Sequence, residues 1–386
     1  MRDEDNALLP LISGQISLLC EFFQSNKATC QAAEKTLKQH AWVSSPLQVR
    51  PSLMFNCGIP FELPVVLGNN PIIMDTTFRF SGAIPANLLP FNDDFSIDEP
   101  NYRRHLSWLA GIDGVQAIVC NGHAGEVSSL NNQERRRALG LALDEVGGRV
   151  AVITGIFTDN TLEAVEMAKE AKTEGASGLL VFPPTLFMWG AQLRPEMPLT
   201  HFQRISDATD LPIIVFEYPP ASGIGYEPDT LAALARIENV VAVKDWSNDM
   251  VTYERNLRAL RGTGRSVAML SSYTMSLFAS YVLGADGSIS GMGSVTADLH
   301  VQLYAAVRRG DLETARRLND RLDPLVRVFY APPFVDMHNR MKEALALLGR
   351  IDKAVVRPPL KRIGETEREQ IRQALVKSGL MAKAPV

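Results

Sequence analysis

The chain has little cysteine, because only four of its 386 residues are of this type: Cys20, Cys30, Cys57 and Cys120. No pair has the CxxC spacing, so the sequence indicates neither a zinc site nor a disulfide framework. Free cysteines are usual in a reducing compartment. We therefore expect a cytoplasmic protein.

Long apolar runs are also lacking. Residues 8–23 are largely apolar, but Pro10, Gly14 and Glu21 interrupt them. A membrane-spanning helix needs about 20 nearly uninterrupted apolar residues, and a signal peptide needs a positively charged leader. The chain instead starts with an acidic segment, residues 2–5. We expect no membrane partner.

An excess of basic charge is absent as well. The chain has 39 Lys and Arg residues against 43 Asp and Glu residues, which gives a net charge of −4. Proteins that bind nucleic acid carry a basic patch that contacts phosphates. This composition indicates no nucleic-acid partner. The length is sufficient for a single large core, since α/β barrels run to about 250 residues or more.

From Phe80 onward, short apolar runs alternate with stretches of helical period. The eight candidate strands are residues 82–88, 115–120, 150–154, 178–182, 213–216, 240–243, 267–270 and 287–289. The helical stretches between them include residues 98–109, 131–146, 160–174, 195–209 and 249–260. Eight such units predict an α/β fold, a (β/α)8 TIM barrel. An open doubly wound sheet is disfavoured, because no GxGxxG turn follows the first strand.

Four further helical segments follow the eighth unit, at residues 299–309, 312–330, 334–348 and 365–377. Prolines punctuate them: Pro324 falls within residues 312–330, Pro332 and Pro333 follow that segment, and Pro358 and Pro359 precede the last one. The sequence therefore predicts a C-terminal helical extension of the barrel.

Lys244 ends an apolar, β-branched run that is typical of a strand buried on both faces. Burial disfavours the charged form of an amine, so it lowers the lysine pKa and makes a neutral nucleophile available. Such a lysine can form a Schiff base with a carbonyl substrate. A lysine that only extends to solvent from the strand end is the alternative.

Five segments in order carry a resemblance to a known family. They are Ser81-Gly82-Ala83-Ile84-Pro85-Ala86, then Gly122-His123-Ala124-Gly125-Glu126, then Pro212-Ile213-Ile214-Val215-Phe216-Glu217-Tyr218-Pro219, then Lys244, and last Gly284-Ala285-Asp286-Gly287-Ser288-Ile289-Ser290. This set resembles the dihydrodipicolinate synthase and N-acetylneuraminate lyase family of class I aldolases, over about residues 78 to 380.

The resemblance implies a lyase, an aldolase, synthase or dehydratase, that binds pyruvate or another 2-keto acid as an imine on Lys244. It implies no metal and no organic cofactor, and a homo-oligomer, either a tetramer or a dimer. The loop Gly122, His123, Ala124 and Gly125 would hold the substrate carboxylate, partly through backbone amides. Phe216, Ser290 and Gly291 would complete the substrate-binding residues.

The resemblance also suggests three parts: an N-terminal extension at residues 1–77, a barrel at 78–295 and a helical region at 296–386. Met74 lies just before the segment where chains of this family usually begin. The extension is either a short helical and irregular appendage of the barrel or a segment that is not part of the natural product, and we favour the second interpretation. The intact mass of the protein made from its own gene context tests this interpretation.

Two departures from the family fall in the expected site. His123 and Ala124 stand where the family commonly has two hydroxyl residues, so an imidazole could donate to the carboxylate instead. The family's catalytic tyrosine usually falls at Phe216. Strand alternation puts Phe216 and Tyr218 on one side, so we expect Tyr218 to carry the proton. A Tyr218 that only packs is the alternative.

Two more departures concern the second substrate. The arginine with which the synthases hold a second carboxylate falls at Ala221, and the aromatic residue after the fourth strand falls near Leu186. A dicarboxylic product then has no evident partner. The apolar segment of Phe187, Met188 and Trp189 would suit a less polar substrate tail, or an oligomer contact.

Two other functions stay open from the sequence. A catalytically silent barrel could bind a keto acid or a sugar acid as a regulator, which the missing hydroxyl pair favours. A phosphate-binding barrel enzyme could use the glycine-rich residues 284–293 near the seventh and eighth strands.

Overall fold

The structure is a computed structural model that describes residues 80–382. The predicted extension at residues 1–77 lies outside the described residues. Within residues 80–382 no helix combines the length and the apolar character that crossing a membrane requires.

Eight parallel strands form the centre of the fold, in the order β1-β8-β7-β6-β5-β4-β3-β2. The strands are β1 Gly82–Pro85, β2 Ala117–Cys120, β3 Ala151–Ile156, β4 Gly178–Val181, β5 Ile213–Glu217, β6 Val240–Asp245, β7 Ala268–Ser271 and β8 Gly287–Ser290. Strands β1 and β2 meet through a parallel bridge between Ala86 and Val119, so the barrel is nearly closed. The predicted TIM barrel is confirmed.

One helix follows each strand. These barrel helices are α1 Glu99–Ala110, α2 Asn132–Val146, α3 Thr161–Glu174, α4 Glu196–Ala208, α5 Pro228–Leu234, α6 Met250–Arg261, α7 Leu277–Leu283 and α8 Gly293–Arg308. Three more helices follow them: α9 Leu312–Phe329, α10 Met337–Leu347 and α11 Glu365–Lys377. The predicted C-terminal helical extension is confirmed, and the suggested boundary at residue 295 falls within α8.

Short polar side chains set the starts of several barrel helices. Asn131 accepts a hydrogen bond from the amide of Glu134, whose side chain bonds back to the Asn131 amide, so the two form a capping box. Asp98, Asn160 and Asp249 cap α1, α3 and α6 by accepting from backbone amides. Each of these four helices begins one residue after the predicted start because the predicted first residue is the cap.

One C-terminal expectation differs from the structure. Pro324 lies inside α9, which continues past it over nearly the whole predicted segment 312–330. Helix α8 begins at Gly293 rather than at residue 299, and Thr296 has non-helical dihedral angles within it. The irregular turn at Thr296 explains why a regular helical period is visible only after it.

Candidate active site

Lys244 lies on β6, one residue before the strand ends at Asp245. Its neighbours in the sheet are Phe216 on β5 and Leu270 on β7. Only 5% of Lys244 is exposed, and its Nζ atom lies 3.7 Å from the centre of the Phe216 ring. The structure therefore places this amine at the carboxyl end of the barrel, where TIM-barrel enzymes have their active sites.

Burial lowers the pKa of Lys244 from 10.5 to about 7. The cause is desolvation, which penalises the ammonium form. The face of Phe216 attracts a cation and opposes this effect, but the net direction is downward. A pKa near 7 leaves a large neutral fraction at neutral pH, so Lys244 is available as a nucleophile.

The loop after β2 begins with a 3-10 turn over His123–Gly125. The amide of Gly125 donates to the carbonyl of Gly122 at 3.0 Å, which closes the turn. The amides of His123 and Ala124 have no backbone acceptor within the described residues. They are the first N–H groups of the turn, which normally lack a partner in the same element. They remain available to an anion such as a carboxylate.

His123 and Tyr218 contact each other directly, because His123 Nε2 and the Tyr218 hydroxyl share a hydrogen bond. Burial and then the charge of Lys244 lower the pKa of His123 to about 3, and burial raises the pKa of Tyr218 above its ordinary value. Both groups are therefore neutral at neutral pH. A neutral imidazole can accept the hydrogen bond of a phenol and so fix the direction of the hydroxyl group.

Aromatic rings enclose the imidazole of His123. Phe157, Phe182 and Phe216 lie with ring centres 6.0, 4.9 and 5.9 Å from it. The rings of Phe216 and Tyr218 are 4.5 Å apart, so the two side chains lie on one side as strand alternation predicts. Phe216 thus lies beneath Lys244, while Tyr218 extends to the loop. The residues of the two departures, His123 on the loop and Phe216 with Tyr218 after it, are therefore neighbours in the structure.

Ser290 is buried at the end of β8, and Gly291 follows it. Ser290 Oγ lies 2.8 Å from Thr274 Oγ1, and the Tyr330 hydroxyl interacts with both. A Cβ atom placed on Gly291 would lie 2.9 Å from His338 Nε2, so glycine leaves room for this histidine. The structure thus brings Ser290 and Gly291 against side chains from the C-terminal extension.

Two buried carboxyl groups fix the ends of β5 and β6. Glu217 accepts hydrogen bonds from the amide of Tyr226 at 2.9 and 3.1 Å, and burial together with Asp245 raises its pKa well above the usual range. Asp245 accepts from Ser247 and from Asn256 Nδ2 at 2.8 Å. These bonds hold the backbone next to Tyr218 and Lys244, so these two side chains keep their directions.

Sequence reasoning did not identify Thr274, Tyr330 or His338. Thr274 follows β7, whereas Tyr330 and His338 belong to the extension beyond the barrel. A helical period shows which face of a helix is apolar, but it does not show which helix end reaches the barrel opening. No pattern in the sequence distinguishes these residues.

The phosphate-binding alternative loses its support in the structure. Gly284 ends α7 with a positive φ of 101°, and Gly287 packs against the backbone of Gly82. Gly293 lies close to Pro85 and Gly291 to His338. Each glycine is thus explained by close packing or backbone conformation. Within residues 80–382, no group of three or more His, Cys, Asp or Glu side chains is arranged to hold a metal ion.

Comparison with known proteins agrees with this geometry. The sequence model of the Dihydrodipicolinate synthetase family matches residues 79–378. The chain belongs to this family. The resemblance seen in the sequence is thereby confirmed, and the chain is a Schiff-base-forming lyase of the class I aldolase type.

Curated members of the family align over most of the chain. The 4-hydroxy-tetrahydrodipicolinate synthase of Rhodopseudomonas palustris (strain BisA53) is 33% identical over 308 residues, which are 80% of this chain and 100% of that protein. The synthase of Methanopyrus kandleri is also 33% identical over 308 residues, with 79% of this chain and 98% of the relative covered.

Solved structures of the family superpose on the chain. A monomeric dihydrodipicolinate synthase variant has a TM-score of 0.73 at 28% identity, covering 80% of this chain and 100% of its own. A prophage protein of E. coli K12 from the dihydrodipicolinic acid synthase family, solved with pyruvate, has a TM-score of 0.71 at 28% identity and covers 78% and 99%.

The departures expected for the second substrate are visible in the structure. Ala221 is exposed in the turn after β5 and carries no charge. Phe187 is buried against His201 of α4, with ring centres 6.2 Å apart, and so is not free to line a substrate tail. Met188 and Trp189 are 54% and 85% exposed. This arrangement favours an oligomer contact over a substrate pocket for the segment.

Proposed function

We propose that the chain binds pyruvate or another 2-keto acid as an imine on Lys244 and makes or breaks a bond at the adjacent carbon. The observation that carries this proposal is the buried amine of Lys244, with its pKa lowered to about 7 at the barrel opening. Pyruvate is present in solved structures of family members from E. coli K12 and Acinetobacter baumannii. The imine acts as the electron sink, so we propose that no metal and no organic cofactor is needed.

The proposed roles of the other groups follow from their positions. The substrate carboxylate would accept hydrogen bonds from the amides of His123 and Ala124. The Tyr218 hydroxyl would deliver and remove protons during imine formation and at the carbanion carbon, with His123 Nε2 bonded to this hydroxyl and fixing its direction. Phe216 would form an apolar floor beneath the imine nitrogen. Ser290 would stay in its hydroxyl cluster and limit the depth of the pocket.

The second substrate we propose is not a dicarboxylic one. Residues 219–227, after β5, contain no lysine or arginine, and Ala221 replaces the arginine that the synthases use. A second carboxylate would therefore lack a counter-ion there. We accordingly do not propose the synthase reaction named for the curated relatives.

The direct test is a panel of 2-keto acids offered with borohydride. We expect pyruvate to give a stable reduced adduct on a single peptide that contains Lys244, measured by mass analysis after proteolysis. Turnover of a longer 2-keto acid then distinguishes the lyase from a silent keto-acid binder. The absence of any adduct across the panel would overturn the proposal.

We expect the rate of this trapping to rise with pH and to level off above about pH 7. Only the neutral amine attacks a carbonyl, and the lowered pKa of Lys244 means that the proton leaves near neutral pH. The initial trapping rate should be measured from about pH 5 to about pH 10, close to the ordinary lysine pKa of about 10.4. A rate that is still low at pH 8 and rises only near pH 10 would show an unperturbed lysine.

We further propose a cytoplasmic homo-oligomer, either a dimer or a tetramer. Support for assembly comes from the exposed apolar side chains after β4, namely Leu186, Met188, Trp189 and Leu193, which are 64, 54, 85 and 86% exposed. Sedimentation velocity measures the assembly, and a monomer mass at micromolar concentration would contradict it. Cell fractionation tests the location.

A further inference from the structure

The loop after β2, residues 122–129, contains two 3-10 turns, and we call it the substrate loop. The turns cover His123–Gly125 and Val127–Ser129, and Glu126 joins them with a positive φ of 54°. A residue other than glycine rarely adopts this left-handed conformation, so its surroundings must hold it there. The contacts of Glu126 therefore determine how the first turn presents its free amides.

The side chain of Glu126 is held from the C-terminal extension. Lys342 of α10 donates from Nζ to Glu126 Oε1, and the amide of Arg357 donates to Glu126 Oε2 at 3.0 Å. Glu126 and Lys342 are both buried, with 6% and 1% exposed. Each carboxylate oxygen thus has one donor, and both donors follow the barrel in the chain. The conformation of the substrate loop therefore depends on residues outside the barrel.

Lys342 keeps its charge because of this contact. Burial lowers the pKa of Lys342, and the negative charge of Glu126 opposes this effect. The Nζ atom also donates to the carbonyl of Val355 at 2.8 Å and lies 4.5 Å from the centre of the Phe91 ring. Glu126 in turn has no other ion-pair partner within residues 80–382. Each member of the pair therefore makes the burial of the other possible.

Arg357 fixes the second turn of the substrate loop. Its guanidinium donates to the carbonyl of Ser129 at 3.0 Å and to the carboxylate of Glu134 in α2 at 2.6 and 2.9 Å. The second turn thus has its own contact with the extension, whereas the first turn is joined to the extension through Glu126. Loss of the ion pair should therefore displace the first turn more than the second.

We propose that Lys342 is a positioning residue of the active site: by neutralising Glu126, it holds the amides of His123 and Ala124 in the direction in which they bind the substrate carboxylate. This inference rests on the proposed function and adds a control of substrate affinity by a helix outside the barrel. Lys342 acts through Glu126 and takes no part in the chemistry, because its ammonium is already paired.

The expected effect is on affinity rather than on the chemical step. The carboxylate does not react, so the substrate loop binds it equally before and after the imine forms. Loss of such uniform binding raises the half-saturating substrate concentration and leaves the maximum rate unchanged. Lys244 lies on a different element, β6, so its amine should stay reactive when the loop moves.

The test measures trapping of pyruvate on Lys244 with cyanoborohydride over a range of pyruvate concentrations. Lys342→Met keeps an apolar stem but removes the charge, which leaves Glu126 buried without a cation. We expect the half-saturating concentration to rise about tenfold or more, as for loss of a charge-assisted hydrogen bond, while the maximum rate stays within about threefold. Glu126→Gln removes the same ion pair from the other side and should raise the half-saturating concentration too, so it serves as the test if Lys342→Met does not fold.

Acetone separates positioning from general damage to the site. It has a ketone carbonyl but no carboxylate, so it can form an imine on Lys244 without using the substrate loop. The rate at which acetone is trapped should therefore be the same in Lys342→Met and in the intact chain, within about twofold. Distortion of the barrel opening would instead slow the trapping of both compounds.

Glu343→Gln is the matched control. Glu343 is the next residue of α10 and is also buried, but it pairs with Arg362 and with Arg368 of α11 rather than with the substrate loop. This variant should lower Tm, as Lys342→Met does, and leave the half-saturating pyruvate concentration unchanged. Hydrogen exchange of the amides of residues 122–129 should be faster in Lys342→Met and unchanged in Glu343→Gln.

Four results would overturn the inference. They are an unchanged half-saturating concentration in a folded Lys342→Met or Glu126→Gln, an equal loss of acetone and pyruvate trapping, the same rise in Glu343→Gln, and an intact chain that traps pyruvate no better than acetone. An intact chain that traps no keto acid at all would overturn the proposed function itself.

Discussion

Lys244→Ala should abolish both turnover and reductive trapping. Lys244 lies one residue before the end of a buried strand, so its amine is at the barrel opening. Burial lowers its pKa to about 7. The other buried lysine of the described chain, Lys342, is paired with Glu126 and so is not a free nucleophile. Loss of a covalent nucleophile removes the whole pathway rather than one step of it. Mass analysis of the reduced protein measures the adduct directly.

Two comparisons make this result specific. Lys244→Arg should also fail, because a guanidinium is not deprotonated to attack a carbonyl. Lys169→Ala removes an exposed lysine of α3 and should trap pyruvate like the intact chain. An adduct that persists in Lys244→Ala at the original level would exclude the Schiff-base assignment.

Tyr218→Phe should lower turnover by about a hundredfold or more, which is the usual effect of removing a general acid–base group. The substitution removes the hydroxyl bonded to His123 and leaves the ring packed against Phe216 and Trp246. The imine on Lys244 should still be trapped, because the nucleophile is intact. Steady-state kcat and single-turnover trapping, measured on the same preparation, separate the two effects.

The opposite outcome has a definite meaning. If turnover in Tyr218→Phe is close to that of the intact chain, Tyr218 only packs, and Phe216 marks a true loss of the family's tyrosine. In that case Phe216→Tyr should raise activity toward pyruvate, and the silent keto-acid binder becomes the better description. His123→Gln keeps a hydrogen-bonding group beside Tyr218 but removes the imidazole, so it tests whether the imidazole itself is needed to orient the hydroxyl.

The barrel could be predicted from the sequence because its signals are local. The strands are buried on both faces and appear as apolar runs, and the helices begin after capping residues such as Asn131 and Asp249. A proline inside a helix usually breaks it, but the helical period of residues 312–330 continues past Pro324, and so does α9. One helix start was predicted wrongly. The irregular turn at Thr296 interrupts the helical period, so the sequence did not show that α8 begins at Gly293.

Only part of the site could be predicted in the same way. Lys244 could be proposed from the sequence, since an amine at the end of an apolar run is unusual. The loop 122–125 could be proposed because its glycines indicate a turn with free backbone amides. The fold brings His123 into contact with Tyr218 and His338 into contact with Gly291. Neither contact could be predicted from the sequence. The residues of such contacts lie far apart in the chain, and a single sequence does not carry their pairing.

The ion pair between Lys342 and Glu126 also has a consequence for the folding of the chain during its translation. The two residues are 216 positions apart, and chains are made from the N-terminus at about 5–20 residues per second. A growing chain that ends before α10 already contains Lys244, His123 and Tyr218, but Glu126 has no cation to neutralise it. An unpaired carboxylate resists burial, so we expect the substrate loop to reach its final position only after Lys342 has left the ribosome. The site is then expected to become complete late in translation.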